Sequence, residues 1–551
     1  MKVLPGINIK REIDNLLEIG HDAENEQLAH GLNDATTSQT STTRIRGDLT
    51  LSTEHSLSLV SAPFASKLLQ TIRLTNIPSV PPTSLGDYET DTTWTSYPLG
   101  FVPQYYGPSS MEALAQNAQL YLRPDTDENI HLRPEYWRTP TAENRTYSSN
   151  DPHILTNLQE DLPPEDLLPA LIGGYFERVN ITLPILHRPL FESQLRDGLH
   201  TRDEEFARLL LVVCALGARW CEDRRVLDDQ CSSELSAGYR WFRSAYRGMI
   251  DAVYRPSLIN IQFTLLSFAF LLGTKFHNVA WHFVAKASRM LQTLGAHRRK
   301  PSHTLADELL KRSFRCCFIL DRFVSTTLGR PSVFRNIDID VDDMMEIDDL
   351  FWTPELGARP PLSHSGSLQL AALNHTSRLC TIIGQASQTI FAPANVKVRI
   401  GLGSSQGEEW ISRNLNQQLN RWAASVPANL RLPDPERFGE HPVPHLHSIT
   451  TLWTGYCYAA IYINRPFITS RTPEIAATSF HNCRQAAHQC ARMIHAYDKI
   501  PGSLPLQCAI PGVFSSAMVL IIDLIANSRP ERLEEVVTSD SPGYSIVANE
   551  Q

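Results

Sequence analysis

Hydrophobic residues recur at three- and four-residue intervals almost throughout residues 166 to about 530. This spacing places apolar side chains on one face of an α-helix, and glycines and prolines fall between the periodic stretches. Helices are predicted at 258–272, 278–294, 368–390, 409–425, 445–464, 473–497 and 513–527. Gly273 ends the first of these and the second follows closely, so the pair predicts an αα-hairpin. No strand pattern competes, and the sequence predicts an all-α, multi-helix body of αα-hairpins.

The body has predicted limits on both sides and one internal break. Three prolines and two glycines interrupt the periodicity at 351–366. They separate a first half, 166–350, from a helical continuation of the same body, 368–530. Residues 538–551 are predicted to form a loose tail.

The N-terminal part of the chain lacks the helical pattern. Residues 1–160 contain a polar tract at 34–43 and repeated prolines, which predict a largely irregular linker region. One helix is expected near 110–122, because apolar residues there share a face that could dock on the body. These residues are Met111, Leu114, Ala118 and Tyr121.

A strong helix signal ends at Gly329. Its apolar stripe consists of Leu310, Phe314, Cys317, Val324 and Leu328. Gly329 stands where a C-cap belongs, and Pro331 prevents the helix from continuing. Asp321 lies on the same stripe, so we expect it to be buried, and a buried carboxylate needs a partner. The candidate partners are Arg330 first, then Arg322 and Arg188. We expect the pair to fix the turn after the helix and to take no part in catalysis.

Charge and composition argue against a nucleic-acid-binding surface over the whole chain and against a membrane protein. With 551 residues, of which 42% are hydrophobic and 20% charged, the chain can bury two or more cores. The net charge of −9 provides no overall attraction for nucleic acid. The longest apolar runs, 209–218 and 263–273, are shorter than the roughly 20 residues that cross a bilayer, so no membrane association is expected.

Two local charge clusters each allow two interpretations. The basic run 297–300 follows a predicted helix and is either a solvated helix terminus, which we favour, or a nuclear import signal. Residues 337–350 carry seven acidic residues and no lysine, arginine or histidine. They form either a folded segment between helices, which we favour, or an activation segment.

The cysteines show no metal-binding pattern. The chain holds ten, the first is Cys214, and no C-x-x-C occurs, so no metal ligand is predicted. Cys214 and Cys221 have six residues between them, as do Cys483 and Cys490, but both pairs lie in helical patterns where free cysteine is a small buried residue. No cofactor is therefore expected in this chain.

No catalytic motif stands out either. The glycines at 401–407 resemble a phosphate-binding loop superficially, but their spacing is wrong and neither a strand nor a lysine accompanies them. His441, His445 and His447 form a loose cluster, and we interpret them as the start of a helix and not as a metal site. No catalytic residue is predicted, and the chain is expected not to be an enzyme.

Two longer patterns have a recognisable order of residues. The first, Y-F-x-x-V-N-x-x-x-P-I-L-H-R-P-x-F, is carried by Tyr175, Phe176, Val179, Asn180, Pro184, Ile185, Leu186, His187, Arg188, Pro189 and Phe191. The second is a helix that ends in G-R-P and is followed by D-I-D, carried by Leu320, Asp321, Arg322, Gly329, Arg330, Pro331, Asp338, Ile339 and Asp340. Together they resemble the regulatory domain, or middle homology region, of fungal binuclear zinc-cluster transcription factors, particularly the xylanolytic activator type.

The resemblance covers roughly residues 166–467. A Y-Y-G-x-S-S element at 105–110 precedes it, and 415–432 and 456–467 are similar to the later helices of the family. It implies a nuclear transcription regulator whose helical domain responds to an effector or a partner. The resemblance is compatible with a small-molecule effector and with a homodimer, and it implies that the motif residues have a structural role.

The resemblance does not extend to the family's DNA-binding module. In this family six N-terminal cysteines hold two zinc ions and bind DNA, and that cluster is absent from this chain. DNA binding is therefore expected only through a module outside these residues or through a partner. A helical co-regulator or scaffold without DNA binding is one alternative, and an unrelated helical enzyme is a second. A segment with C-x-x-C pairs encoded upstream of Met1 would favour the regulator over the co-regulator.

Overall fold

A computed structural model gives the three-dimensional structure of the chain. It describes residues 93–95, 104–106, 109–111, 114–115, 158, 160–228, 234–246, 256–272, 274, 277–300, 304–352, 366–468, 470, 472–504 and 506–528. The predicted tail at 538–551 and most of the predicted linker at 1–160 lie outside these residues.

Seven α-helices form the first half of the body. They are α1 (Leu168–Arg178), α2 (Arg188–Arg196), α3 (Glu204–Gly217), α4 (Tyr239–Tyr246), α5 (Leu258–Leu272), α6 (His277–Thr293) and α7 (Leu305–Leu328). The pair α5 and α6 is the αα-hairpin that the sequence predicts, with bounds that agree to within one residue. Almost every side chain of α5 is buried, because neighbouring helices surround it.

Six further α-helices form the second half. They are α8 (Leu368–Thr389), α9 (Ala394–Arg399), α10 (Ser405–Ser425), α11 (Val443–Asn464), α12 (Pro473–Asp498) and α13 (Ile510–Ser528). Short 3-10 helices connect the elements of both halves. They are Leu199–Thr201, Ala218–Trp220, Arg224–Val226, Glu234–Ser236, Asn336–Asp338, Asp349–Phe351, Ala428–Leu430, Pro435–Glu440, Arg465–Phe467 and Gln507–Ala509. The prediction of an all-α, multi-helix fold is confirmed.

Side chains in the connecting segments start and stop these helices. Thr304 caps α7, because its hydroxyl oxygen accepts a hydrogen bond from the Asp307 amide at 3.2 Å. Ser404 caps α10 in the same way through the amide of Gly407. At the other end of α7, Gly329 takes a left-handed conformation with φ of 67°, as its predicted C-cap position requires.

Two hydrophobic cores meet between α7 and α8. The first core takes its buried residues mainly from α1 to α7, and the second from α8 to α13. Helix α8 contributes to both, with Leu370 and Leu373 in the first core and Leu379 and Ile383 in the second. Phe323 of α7 packs against both cores, so the two halves form one continuous body.

A short part of the N-terminal region contacts this body. Strands β1 (Thr93–Thr95) and β2 (Gln104–Tyr106) pair in an antiparallel two-stranded sheet, with Trp94 opposite Tyr105. Leu114 is buried in the second core, and the Arg465 guanidinium donates a hydrogen bond to the carbonyl oxygen of Ser109. Of the helix expected at 110–122, Ser110, Met111, Leu114 and Ala115 are described, and the last three are helical; the rest lies outside the described residues.

The acidic segment between α7 and α8 is folded against the body. Asp349 accepts a hydrogen bond from Arg312 of α7 at 2.9 Å, and Asp343 pairs with Arg378 of α8. Asp340 and Asp342 both pair with Arg299, in the basic run after α6. The favoured interpretation of 337–350 as a folded linking segment therefore describes its structure. Among the described residues, no helix is long and apolar enough to span a membrane.

Candidate functional site

A cavity of about 340 Å³ lies between the two halves of the body. Its volume falls in the range of about 300–1,000 Å³ that is typical of small-molecule sites. Helix α7 contributes Ile319, Leu320, Phe323, Val324, Thr327 and Leu328, α8 contributes Gln369, Ala372, Leu373 and Thr376, and α11 contributes His447, Ser448, Thr451 and Leu452. The rest of the described wall comes from the loop at 181–183, Met111, Phe268 and Leu272 of α5, Thr274, Cys508 and the start of α13, and the wall is mainly apolar.

The first sequence motif shapes the loop that enters this wall. The Tyr175 hydroxyl donates a hydrogen bond to Asn180 Oδ1 at 3.1 Å. The same Oδ1 accepts from the Leu186 amide at 3.2 Å, and Asn180 Nδ2 donates to the Leu186 carbonyl at 3.2 Å. Pro184 is buried inside the loop that these bonds close. Asn180 therefore fixes the loop whose residues 181–183 face the cavity.

The rest of this motif starts helix α2. His187 is its N-cap, because its Nδ1 accepts a hydrogen bond from the Leu190 amide at 3.2 Å, and Pro189 occupies the first turn. The Arg188 amide donates to Asp349 of the acidic segment at 3.4 Å, and its guanidinium lies 5.3 Å from the centre of the Phe176 ring. These residues therefore connect α2 to the segment after α7.

The second motif fixes the turn that follows α7, but by contacts other than those predicted. Asp321 is fully buried, as expected. Its carboxylate accepts hydrogen bonds from the backbone amides of Val333 and Phe334, both at 3.1 Å, and from the Ser325 hydroxyl at 3.3 Å. Burial raises the pKa of Asp321 above its usual value, although the two amides act in the opposite direction.

The prediction of Arg330 as the first partner of Asp321 is wrong, and the hydrogen bonds to the carboxylate come from Ser325, Val333 and Phe334. Arg322, a fallback candidate, acts on Asp321 through its charge, which opposes the rise in the pKa of the carboxyl group. The Arg330 guanidinium lies instead 4.9 Å from the centre of the Trp281 ring, and Arg188 lies on α2. Backbone amides satisfy the carboxylate because the chain turns sharply after Gly329 and directs the two N–H groups back toward the helix. Pro331 lies in this turn, where its lack of an N–H group has no consequence for the helix.

Arg322 is also fully buried, and it joins the same turn to α8. Its guanidinium donates hydrogen bonds to the Ser332 hydroxyl and, at 2.8 Å, to Asn336 Oδ1. It lies 5.0 Å from the centre of the Phe318 ring. A methyl group at Gly384 of α8 would be only 2.8 Å from Arg322 Nε, so the glycine makes room for this arginine.

Of the twenty motif residues, Leu320 alone lines the cavity. The structure brings each motif together around its own turn, and the rest of the wall near them is formed by their neighbours in the loop at 181–183 and in α7. The other motif residues therefore act as supports of the wall.

The polar groups of the cavity form a chain of hydrogen bonds that sequence reasoning missed. Thr182 Oγ1 lies 2.7 Å from His447 Nε2, and His447 Nδ1 lies 3.2 Å from the Tyr497 hydroxyl. Tyr497 in turn bonds to the backbone of Leu504, in the turn between α12 and α13. Burial lowers the pKa of His447 to about 4, so its imidazole is neutral at physiological pH.

The sequence held no signal for this chain of contacts. Thr182 and His447 are 265 residues apart, and His447 was interpreted only as part of a helix start. Gln369, which also lines the cavity, occupies the first turn of α8 without any distinguishing pattern.

The described residues contain no group of three or more histidine, cysteine, aspartate or glutamate side chains that could hold a metal ion. Cys214, Cys483 and Cys490 are buried in helices α3 and α12, and Cys221 is partly exposed. Cys508 lines the cavity, and burial raises the pKa of its thiol to about 12. The cavity therefore offers neutral hydrogen-bonding groups on an apolar surface.

Comparison with known proteins finds similarity to fungal transcription regulators. The sequence profile of the fungal specific transcription factor domain matches residues 172–424, slightly under half of the chain. The chain is 25% identical over 329 residues to the ABC-transporter-regulating transcription factor of Aspergillus fumigatus, covering 57% of this chain and 35% of that protein. It is 25% identical over 241 residues to the thiamine repressible genes regulatory protein thi1 of Schizosaccharomyces pombe, covering 42% and 30% respectively.

A third relative is the activator of stress genes 1 of Saccharomyces cerevisiae, 23% identical over 322 residues, with 56% of this chain and 32% of that protein covered. The matched part of the chain thus spans about a third of the length of these curated relatives. No solved structure matches the chain at a significant level.

Proposed function

We propose that this chain, whose residues 172–424 are a fungal specific transcription factor domain, is the regulatory part of a fungal transcription regulator and that its cavity binds a small-molecule effector. The observation that carries the proposal is the position of the cavity. Its wall is built from α7 and α8, where the two cores meet, together with the loop at 181–183 and α11. A ligand there contacts both halves, so it can favour one arrangement of them over another.

The two family motifs support this proposal by their positions. The first holds the loop at 181–183 and the second holds the C-terminal end of α7, and both of these elements contribute cavity wall. A site built on supported elements keeps its shape, which is what selective binding requires. The regulatory role, the nucleus as the place of action, and a zinc cluster supplied outside these residues or by a partner are parts of the same proposal.

We infer a regulatory and not a catalytic role for the chain. Thr182 and His447 have the spacing of a nucleophile and its base, but a histidine with a pKa of about 4 is a poor base near neutral pH. The Cys508 thiol remains protonated for the same reason of burial, and a thiol is a weak nucleophile. The similar proteins named above are transcription regulators.

Transcript profiling of fungal strains that carry a filled cavity tests the proposal. Ala372→Phe places a phenyl ring into the cavity, because Ala372 is part of its wall. Ala424→Phe is the matched control, because Ala424 is an exposed residue of α10. The Ala372→Phe strain should lose the condition-dependent transcript changes that also disappear on deletion of the gene, while the control strain keeps them. The proposal fails if Ala372→Phe protein accumulates normally and the strain responds like wild type.

A further inference from the structure

The described residues of the cavity wall carry no formal charge. None of them is an aspartate, glutamate, lysine or arginine, and the titratable groups among them are His447 and Cys508. Burial keeps both in their neutral forms, because it lowers the pKa of the imidazole and raises that of the thiol. A charged ligand would lose its hydration without meeting an opposite charge, which is strongly unfavourable.

The hydrogen-bond network assigns the proton positions at one end of the cavity. The Tyr497 hydroxyl donates its single proton to the Leu504 carbonyl at 3.1 Å and accepts from the Leu504 amide at 3.0 Å. Tyr497 therefore cannot also donate to His447, so Nδ1 of His447 carries the proton and donates to the Tyr497 oxygen. This leaves Nε2 of the neutral ring as an acceptor.

This tautomer of His447 also determines the direction of the hydrogen bond made by the Thr182 hydroxyl. Its hydroxyl lies 2.7 Å from His447 Nε2, and since Nε2 is an acceptor, Thr182 must donate its only proton to it. The lone pairs of Thr182 Oγ1 that remain can accept a hydrogen bond but cannot supply one. At the cavity wall Thr182 is therefore an acceptor.

Gln369 also presents a hydrogen-bond acceptor, for a reason that does not depend on His447. Its Nε2 donates to the carbonyl oxygens of Asn180 and Ile181, both at 2.7 Å. These two bonds use both amide protons and identify the other atom of the side-chain amide as Oε1, an acceptor. Two side chains of the wall, Thr182 and Gln369, thus offer acceptors to a bound molecule.

From this arrangement we infer that the cavity takes an uncharged, largely apolar molecule whose hydroxyl or N–H group donates a hydrogen bond to Thr182 or Gln369. The inference rests on the proposed function, because it specifies the chemistry of the effector for the same cavity. It also defines what the site rejects, namely anions and cations. A neutral molecule of the same shape that lacks a donor binds more weakly because it cannot bond to Thr182 or Gln369, although the buried Thr451 hydroxyl of the wall can still donate to it.

Binding of three bicyclic probes to the purified full chain, measured by calorimetry, tests the inference. 2-Naphthol has a donor, 2-methoxynaphthalene has the donor blocked by a methyl group, and 2-naphthoate is an anion. 2-Naphthol should bind about three- to tenfold more tightly than 2-methoxynaphthalene, which corresponds to one hydrogen bond. 2-Naphthoate should show no measurable binding.

Three variants locate the preference and separate the two proposals. Thr182→Val should weaken 2-naphthol while leaving 2-methoxynaphthalene unchanged, and Thr182→Ser should keep the wild-type preference. Ala372→Phe should abolish binding of both.

Equal affinities of the two neutral probes, both abolished by Ala372→Phe, would overturn the inference and leave the cavity as a binding site. Preferred binding of 2-naphthoate would also overturn it. Binding that Ala372→Phe does not change, or no binding of any probe, contradicts the cavity assignment on which the proposed function depends.

Discussion

Single buried polar residues hold the turns on which the cavity depends. The Asp321 carboxylate accepts hydrogen bonds from two backbone amides and a hydroxyl. The Asn180 side chain bonds to both the N–H and the C=O of Leu186. Each closes a segment that has no regular structure of its own. Because a buried N–H without a partner is unfavourable by about 1–3 kcal/mol, these residues tolerate few substitutions.

The first prediction concerns Asp321. Asp321→Ala should lower the free energy of unfolding by about 3 kcal/mol, because it leaves the Val333 and Phe334 amides without their acceptor. Urea titration followed by far-UV circular dichroism measures the change. Asp338→Ala is the control, since Asp338 pairs with Arg335 at the surface, and its transition should coincide with that of wild type. Coincident transitions for wild type and Asp321→Ala would disprove the structural role.

The second prediction uses the buried imidazole of His447. Its pKa is lowered from 6.5 in the unfolded chain to about 4 in the folded chain, so the unfolded state binds the proton more tightly between these values. The stability that depends on neutral His447 is therefore complete above about pH 6.5 and is lost as the pH falls toward 4. The loss amounts to roughly 3 kcal/mol.

A variant without this imidazole isolates the effect from other groups that titrate in acid. Unfolding free energies of wild type and His447→Gln, measured from pH 7 to pH 4, should converge as the pH falls. A constant difference between wild type and His447→Gln across this range would contradict the buried neutral state.

At the scale of elements, helix pairs approach one another through glycines. Gly217 at the end of α3 lies against α1, where an added Cβ would be 1.8 Å from the Leu171 carbonyl oxygen. Gly174 of α1 faces the same contact, because its added Cβ would be 3.0 Å from the Gly217 carbonyl oxygen. Backbone atoms of the two helices are thus nearly in contact, and no side chain fits between them.

The third prediction concerns this helix contact. Gly217→Ala should destabilise the protein by roughly 3 kcal/mol, because the methyl group can be accommodated only if the two helices separate. Gly173→Ala, on the neighbouring position of α1, is the matched control. Its added Cβ meets nothing closer than 4.0 Å, and alanine favours helix, so this variant should be neutral or slightly more stable. Thermal unfolding compares them, and equal melting temperatures would contradict the close packing.

The sequence predicted the helices far better than their contacts. The periodic pattern placed α5 at its observed bounds and α8, α11 and α12 within two residues of theirs, because periodicity records which face each helix buries. It also placed Asp321 in the interior. It could not identify the partner of Asp321, because two backbone amides carry no residue identity that a sequence pattern could reveal.

The cavity was beyond sequence reasoning for a related reason. It arises where α7, α8, α11 and the loop at 181–183 fail to fill the space between two cores. Each of these elements looks like an ordinary core element when taken alone, since the apolar residues of a cavity wall and of a packed interior have the same pattern. The sequence did reveal the motif residues, but all of them except Leu320 lie outside the cavity wall and support it.

At the scale of the whole molecule, the distribution of charge predicts weak binding to DNA. The net charge is −9, and part of the basic run after α6 pairs with the acidic segment, through Arg299 with Asp340 and Asp342. Phosphate binding requires lysines and arginines that are available to the phosphates, and sequence reading requires an element that enters a groove.

The fourth prediction is that these 551 residues bind duplex DNA weakly and without sequence preference. Titration onto duplex fragments at physiological salt should give dissociation constants of about 10⁻⁴–10⁻⁶ M, the range of non-specific binding. Metal analysis of the same sample should find no stoichiometric zinc. Tight sequence-selective binding, or two zinc ions per chain, would show that these 551 residues contain a DNA-binding site.

The central claim is that the cavity between the two halves binds a neutral effector, and a thermal-shift measurement tests it most directly. The purified chain is melted in the presence of organic extracts of the fungus's own culture, separated into neutral and anionic fractions. A ligand that binds only the folded state raises the melting temperature. A neutral fraction should raise it for wild type and for Ala424→Phe but not for Ala372→Phe. No shift with any fraction, or an equal shift for Ala372→Phe, would contradict the account.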